Sequence, residues 1–303
     1  MVWRAEAALA RHPDCFDYHD VLCEALGKLD RLGEARRHGT LALALKDRAS
    51  SGGAHDLTTV RIPPFDAASP QRNVIAFSLF GAADRYCQGA LENARGRPFL
   101  YPGWTCRFYV DASVSGDITR GLAALGAQIM QVKGLPADTF GTFWRYLVAD
   151  DDAVDRFLIR DADSIINTRE RVAVDEWLDS DRHFHVMRDY ITHSELVLAG
   201  MWGGVRGALP PLLPAIHRFV SDPIHLRGRT ADQEFLRDLL WPTIRQSVLT
   251  HDSQFDFGER RQFPRVGQLP PGRSVGDRLS DLKPASPARS GPQTVRAVPP
   301  NPP

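Results

Sequence analysis

Between residues 71 and 258 strand and helix signals alternate, and this alternation constrains the fold more than any other feature of the chain. "NVIAFSLF" (73–80) reads as a strand and "RYCQGALENA" (85–94) as a helix. "CRFYVD" (106–111) reads as a strand, "ITRGLAALG" (118–126) as a helix and "AQIMQV" (127–132) as a strand. "FGTFWRYLVAD" (140–150) then reads as a helix and "RFLIRD" (156–161) as a strand. Such alternation predicts an α/β fold with a mostly parallel sheet flanked by helices. Ligands of these sheets sit beyond the carboxyl ends of the strands, where Asp111 and Asp161 fall.

The flanks have a different composition. Residues 1–48 read as helices, with Leu22, Leu26 and Leu29 at helical spacing. Ala42-Leu43 repeats Ala8-Leu9 at a distance of 34 residues, a pattern similar to a tetratricopeptide repeat. Only about one and a half repeats are present, too few to bury a core alone, so the segment is expected to dock on the next domain or to belong to a longer array; an unrelated helical hairpin explains it equally well. Residues 49–70 are rich in Ser, Gly and Pro and read as a linker. Residues 259–303 hold ten prolines, eight basic and three acidic residues without an amphipathic period, and are expected to be disordered.

Basic and acidic residues number 37 each, which argues against a nucleic-acid partner, since that needs a basic face. No apolar run reaches the length of a membrane span, and the first residues lack the apolar stretch of a signal peptide. The four cysteines show no Cys-x-x-Cys spacing and read as small hydrophobes of a cytoplasmic protein.

The chemistry-bearing stretch is "FLIRDADSIIN" (157–167). Residues i and i+2 of an extended chain share a face, so Asp161 and Asp163 present two carboxylates to one point if the strand continues through them. Converging carboxylates repel unless a cation lies between them, and Mg2+ or Mn2+ bridging to a diphosphate would fill that role. A surface turn capped by Ser164 explains the same residues equally well. A phosphatase of the haloacid dehalogenase type would need a later lysine in its domain, and Lys283 is the only one after the motif. P-loop, zincin and nucleophile-elbow patterns are absent. In "GMWGG" (200–204), Trp202 could offer a face to a sugar ring, or the stretch could be a tight turn around a partly buried Trp. His183, His185, His193, His217 and His225 read as ordinary core or surface residues.

"TFWRYLVADDDAVDRFLIRDADSIIN", with "ADQEFL" (231–236) and "LTHDS" (249–253) in the same order, resembles GT-A-fold glycosyltransferases, specifically the retaining family eight. The resemblance covers roughly 73–255 and implies a nucleotide-sugar donor, usually a UDP-sugar, with bound Mn2+ or Mg2+. It implies Asp161, Asp163 and His251 as metal ligands, Arg145 near the donor, and Tyr86 and Asp111 facing the uracil. Asp189 and Asp232 are candidates for the carboxylate at the reacting face, a base on the acceptor in an inverting enzyme or a stabiliser of an oxocarbenium-like state in a retaining one. Gln233 follows from the Asp-Gln helix start. Two departures stand out. "LAGMWGG" (198–204) replaces the family's Asn-Ser-Gly stretch, and the lysine expected after the late histidine is missing, so an arginine would have to substitute. The expectation is a transferase acting on a glycan, lipid-linked or protein acceptor. The alternative is an inactive domain of this fold that recruits a protein partner through its N-terminal helices.

Overall fold

The structure, a computed structural model, describes residues 1–222 and 230–282. Three helices come first, α1 (Val2–Leu9), α2 (Phe16–Lys28) and α3 (Leu32–Ala49). The α/β body follows as β1 (Asn73–Leu79), α4 (Asp84–Leu100), β2 (Thr105–Val110), α5 (Gly116–Ala124) and β3 (Gln128–Gln131). A short helix α6 (Ala137–Phe140) runs into a 3-10 segment (Gly141–Asp150), then β4 (Arg156–Asp161), α7 (Thr168–Leu178), β5 (Phe184–Arg188) and β6 (Trp202–Val205). Helices α8 (Leu212–Val220), α9 (Ala231–Phe235) and α10 (Trp241–Ile244) precede β7 (Val248–Asp252), and a π turn (Leu236–Leu240) joins α9 to α10. Residues 140–150, expected as an α-helix, form the tighter 3-10 winding, with Phe143, Trp144, Arg145 and Tyr146 all buried.

Seven strands form one sheet in the order β3-β2-β1-β4-β6-β5-β7. β6 is antiparallel to β4 and β5, and the other pairings are parallel. Both faces are covered, so β1 is buried along its whole length and is apolar except for Asn73 and Ser78. Alternation along β4 sends Phe157, Ile159 and Asp161 towards the 3-10 segment and Arg160 towards α7. There Arg160 Nε lies 3.4 Å from Glu170, which also accepts from the Tyr101 hydroxyl at 2.8 Å.

"GMWGG" begins in a turn, where the Met201 N–H donates to the Leu198 carbonyl at 3.0 Å, and runs from Trp202 on as strand rather than as a platform. Gly203 and Gly204 lie inside β6, where a Cβ at Gly203 would stand 2.6 Å from the Phe157 carbonyl oxygen. Only glycine lets β6 approach β4 so closely. Trp202, expected at the donor, is fully buried, with its ring 5.5 Å from Phe157 and 5.7 Å from Tyr146. Its place in the strand points the indole into the core, away from any ligand.

The N-terminal helices do dock. The Lys46 ammonium is buried and sits 2.7 Å from Asp20 on α2 and 2.7 Å from Glu195 of the body. The Cys23 thiol donates to the Ile191 carbonyl at 3.0 Å, and Trp241 Nε1 to Asp47 at 2.6 Å. Beyond Ala49, which ends α3, the expected linker of residues 49–70 carries no α-helix or strand but packs across the amino edge of the sheet, where Arg156 donates to the Pro63 carbonyl and Phe65 stacks on Trp104. Among the described residues no helix is long and apolar enough to cross a membrane.

The expectation of a disordered tail fails up to Leu282; the rest of the tail and His225 lie outside the described residues. Phe263 and Val275 are buried with Ala173, Met187, Leu198 and Met201 in a small apolar cluster. Backbone bonds do the rest: Ile165 donates to the Asp277 carbonyl at 3.0 Å and Leu279 to the Asp163 carbonyl at 3.3 Å. A segment held this way needs no apolar period, which is why composition alone misread it. Cutting the chain after residue 258 should therefore cost about 2 kcal/mol, a fall in Tm of roughly 5 °C. Thermal melts of the full and shortened chains check this; identical midpoints would mean the strap is not docked.

Candidate active site at the carboxyl edge of the sheet

Three strand ends build the site. β4 delivers Asp161, β1 ends beside it at Leu79, and the loop leading into β6 passes over both. Gly200 in that loop lies so close to Asp161 that a Cβ would meet its Oδ2 at 2.2 Å. Bulk there would evict the carboxylate, so the glycine is a requirement of the site.

Arg145 anchors the centre. Its backbone N–H donates to the Ser78 hydroxyl at 3.0 Å, which ties the 3-10 segment to β1. Its guanidinium donates through Nη1 to Asp161 and through Nη2 to Asp232 at 3.0 Å. Burial pushes its pKa down, but the charges of Asp161, Tyr146 and Asp232 outweigh this and raise it, so the cation is permanent. Asp161 keeps 42% of its side chain exposed, leaving an oxygen free to take a ligand from solvent. Asp232 is buried at the start of α9; desolvation first, and then the Asp161 charge, raise its pKa against the pull of Arg145. The neighbouring Gln233 accepts the Ala199 N–H at 3.0 Å and so pins the loop that carries Gly200.

Asp163 lies just past the end of β4, between two arginines. Arg85 Nε is 3.9 Å away and Arg278 Nε 3.7 Å away. Its side chain is 11% exposed. Desolvation raises its pKa, and the charge of Asp161 raises it further, while Arg278 and Arg85 oppose them. The two carboxylates therefore feel each other, as expected, although the chain turns between them instead of continuing as strand.

A cavity of about 120 Å3 opens against Asp161, lined also by Ser78, Phe80, Tyr86, Thr142 and Arg145. The Tyr86 ring lies under the Arg85 guanidinium, 4.4 Å from its centroid, and the Tyr86 hydroxyl accepts from the same group. Asp111 stands one loop away: it accepts from Ser113, whose hydroxyl accepts the Gly81 N–H at 2.7 Å, so it braces the rim.

Two expected residues belong elsewhere. His251 is fully buried under α7, with Nδ1 2.8 Å from His185 and Nε2 3.0 Å from Glu176. Burial lowers its pKa and Glu176 partly restores it. Two strands lie between β7 and β4, and at the usual strand spacing that separates them by roughly 14 Å. His251 is therefore not a third ligand beside Asp161 and Asp163. Asp189 is also committed: Arg169 donates to it twice at 2.8 Å, Ser253 at 2.7 Å and the Val275 N–H at 2.9 Å. A carboxylate accepting four hydrogen bonds is a clasp for the strap, with no lone pair left for an acceptor hydroxyl.

Among the described residues no three His, Cys, Asp or Glu side chains gather as a complete metal cage. The pair Asp161 and Asp163 still fits a hard divalent cation, which binds through one or two carboxylates and completes its shell with water and phosphate oxygens. Their mutual repulsion is what such a cation relieves. Ser78, Arg85, Thr142 and Arg278 were missed from sequence. Arg85 adjoins Tyr86 at the start of α4 and was legible there; Arg278 was hidden by the composition of the tail.

No protein-family model and no curated protein matches the chain. Similar solved structures include the mannosyltransferase PcManGT from Pyrobaculum calidifontis in complex with GDP-Man and Mn2+. It is 12% identical, with 82% of this chain and 70% of that one covered and a TM-score of 0.44. The galactosyltransferase LgtC, in complex with donor and acceptor sugar analogs, is 18% identical over 60% of this chain and 73% of its own, at a TM-score of 0.41. Glucosyl-3-phosphoglycerate synthase from Mycobacterium tuberculosis, with Mn2+, UDP and phosphoglyceric acid, is 12% identical over 68% and 78%, at 0.37. At scores this low the likeness carries no functional weight, and the chemistry has to be read from the residues.

The strained acidic pair has a measurable signature. Because the folded pKa of Asp163 lies above its unfolded value, the folded state holds this proton longer than the unfolded chain. Stability linked to it is complete below the ordinary aspartate range and is lost as pH rises through the folded pKa. Asp163→Asn escapes that loss. In chelator-treated protein it should melt higher than wild type at pH 7 and no higher at pH 3. A variant that melts lower at pH 7 would show that Arg85 and Arg278 outweigh the burial.

Proposed function

We propose that the chain is a metal-dependent glycosyltransferase that moves a sugar from a nucleoside-diphosphate donor, of the UDP-sugar class, to an acceptor hydroxyl with retention of configuration. The observation that carries this reading is the Asp161–Asp163 pair at the carboxyl end of β4, flanked by arginines, with Asp161 opening onto the Tyr86 cavity.

Each residue has a task in this reading. Asp161 and Asp163 would hold Mn2+ or Mg2+, which supplies positive charge to the departing diphosphate. Arg145 holds Asp161 in position and opposes, through its charge, the burial that raises the pKa of Asp232. Asp232 places a carboxyl close to Asp161 that, in its ionised form, is suited to stabilising an oxocarbenium-like centre. Gln233 positions the loop over the site. Tyr86 offers its ring to the base, and Asp111 braces the neighbouring rim. Purely recruiting roles gain less support: the N-terminal helices spend much of their apolar surface on the body, and Trp3, Leu29 and Leu41 are among what they leave exposed.

A thermal-shift screen tests the reading. UDP, or a UDP-sugar, at saturating concentration should raise Tm by about 5 °C in Mn2+ and much less in chelator. Asp163→Ala should abolish the Mn2+-dependent part while folding normally. A shift of equal size with and without metal would remove the proposal.

A further inference from the structure

The strap of residues 270–282 does more than close the apolar cluster behind it. It is sewn onto the segment that carries the acidic pair. Ser164 pairs with Arg278 in an isolated antiparallel bridge, and the Ser164 hydroxyl donates to the Gly276 carbonyl at 3.1 Å. The strap also stiffens itself: Arg273 Nε donates to Asp277 at 2.5 Å, and the Arg278 N–H to Asp281 at 3.1 Å. The backbone of Arg278 is thus held in register with residues 163–165 while its side chain remains 61% exposed.

Among the described residues the guanidinium of Arg278 meets one partner, Asp163, at 3.7 Å. An exposed pair at that length stabilises little. Arg85, the other arginine at Asp163, is already engaged by the ring and hydroxyl of Tyr86. Arg278 also lines a cavity of about 470 Å3 beside the strap, together with Tyr190, His193 and Arg273, so its side chain has room to turn. When Asp163 engages a divalent cation, Arg278 loses its partner next to a diphosphate whose charge one such cation does not cancel.

We infer that Arg278 binds the donor diphosphate, supplying from the C-terminal strap the cation that the segment after His251 lacks. This rests on the donor reading above and adds a named residue to it. The guanidinium suits phosphate oxygens because its planar fork donates two hydrogen bonds to them at once. The strap is then part of the binding site, and its backbone clasp at Asp163, Ser164 and Ile165 sets where that fork stands.

Calorimetric titration of UDP in Mn2+ into wild type, Arg278→Gln and Arg278→Lys tests this, with melts of the ligand-free proteins alongside. Arg278→Gln should weaken UDP about tenfold or more and leave the ligand-free Tm within about a degree, and Arg278→Lys, which keeps the charge without the fork, should restore only part of the affinity. Unchanged UDP affinity in Arg278→Gln would overturn the inference while leaving the donor reading intact. So would a loss that comes with a lower ligand-free Tm and is not even partly rescued by Lys, since the residue would then only seat the strap. A wild type that binds no UDP in Mn2+ would instead bring down the donor reading itself, and this inference with it.

Discussion

The buried guanidinium of Arg145 is the constraint on which the rest of the site depends. A charge taken out of water is tolerated only with partners, and Arg145 has two carboxylates, Asp161 at the end of β4 and Asp232 at the start of α9. Those residues lie far apart in sequence, so the pairings join the sheet to the helices behind it. The 3-10 winding of 141–150 and the Ser78 contact place the guanidinium between them. Losing Arg145 would leave two buried or half-buried carboxylates facing each other, which is why its role cannot be separated from the shape of the site.

Polar groups elsewhere show the same economy of partners. Glu170 serves both Arg160 and Tyr101 under α7, and Asp189 gathers α7, the exit of β7 and the strap through four donors. Lys46 joins the N-terminal helices to the loop before Leu196 with two carboxylates. Each satisfies a buried charge by joining segments that the sequence leaves far apart. The arginines near Asp163 differ, because their side chains are half exposed; Arg85 is engaged by Tyr86, while Arg278 meets Asp163 only at 3.7 Å.

Much of the sheet was legible because its parallel strands carry short apolar runs, buried in β1, β2 and β4: these and β3 appear within a residue or two of where the runs lie. Asp161 and Asp163 stood out for another reason, at the end of the apolar run of β4, whereas Arg145 and Tyr86 were expected only from the family resemblance. His251 and Asp189 look from sequence like ligating or catalytic groups, yet one is tied to His185 and Glu176 and the other to the strap. A single chain reveals residue type but not which buried group will claim a side chain. Trp202 was misread because β6 contains two glycines and so resembles a turn, although those glycines serve strand packing. The strap was misread because backbone hydrogen bonds and two apolar anchors leave no period to detect.

The central claim is that two carboxylates, without a third protein ligand beside them among the described residues, hold a metal that the donor diphosphate helps to bind. Manganese titration followed by electron paramagnetic resonance, with and without UDP, tests it most directly. The account predicts weak Mn2+ binding to the protein alone, a rise in affinity of at least about tenfold when UDP is present, and loss of that rise in Asp163→Ala. Equally tight Mn2+ binding without the nucleotide, or a UDP effect that survives in Asp163→Ala, would contradict it.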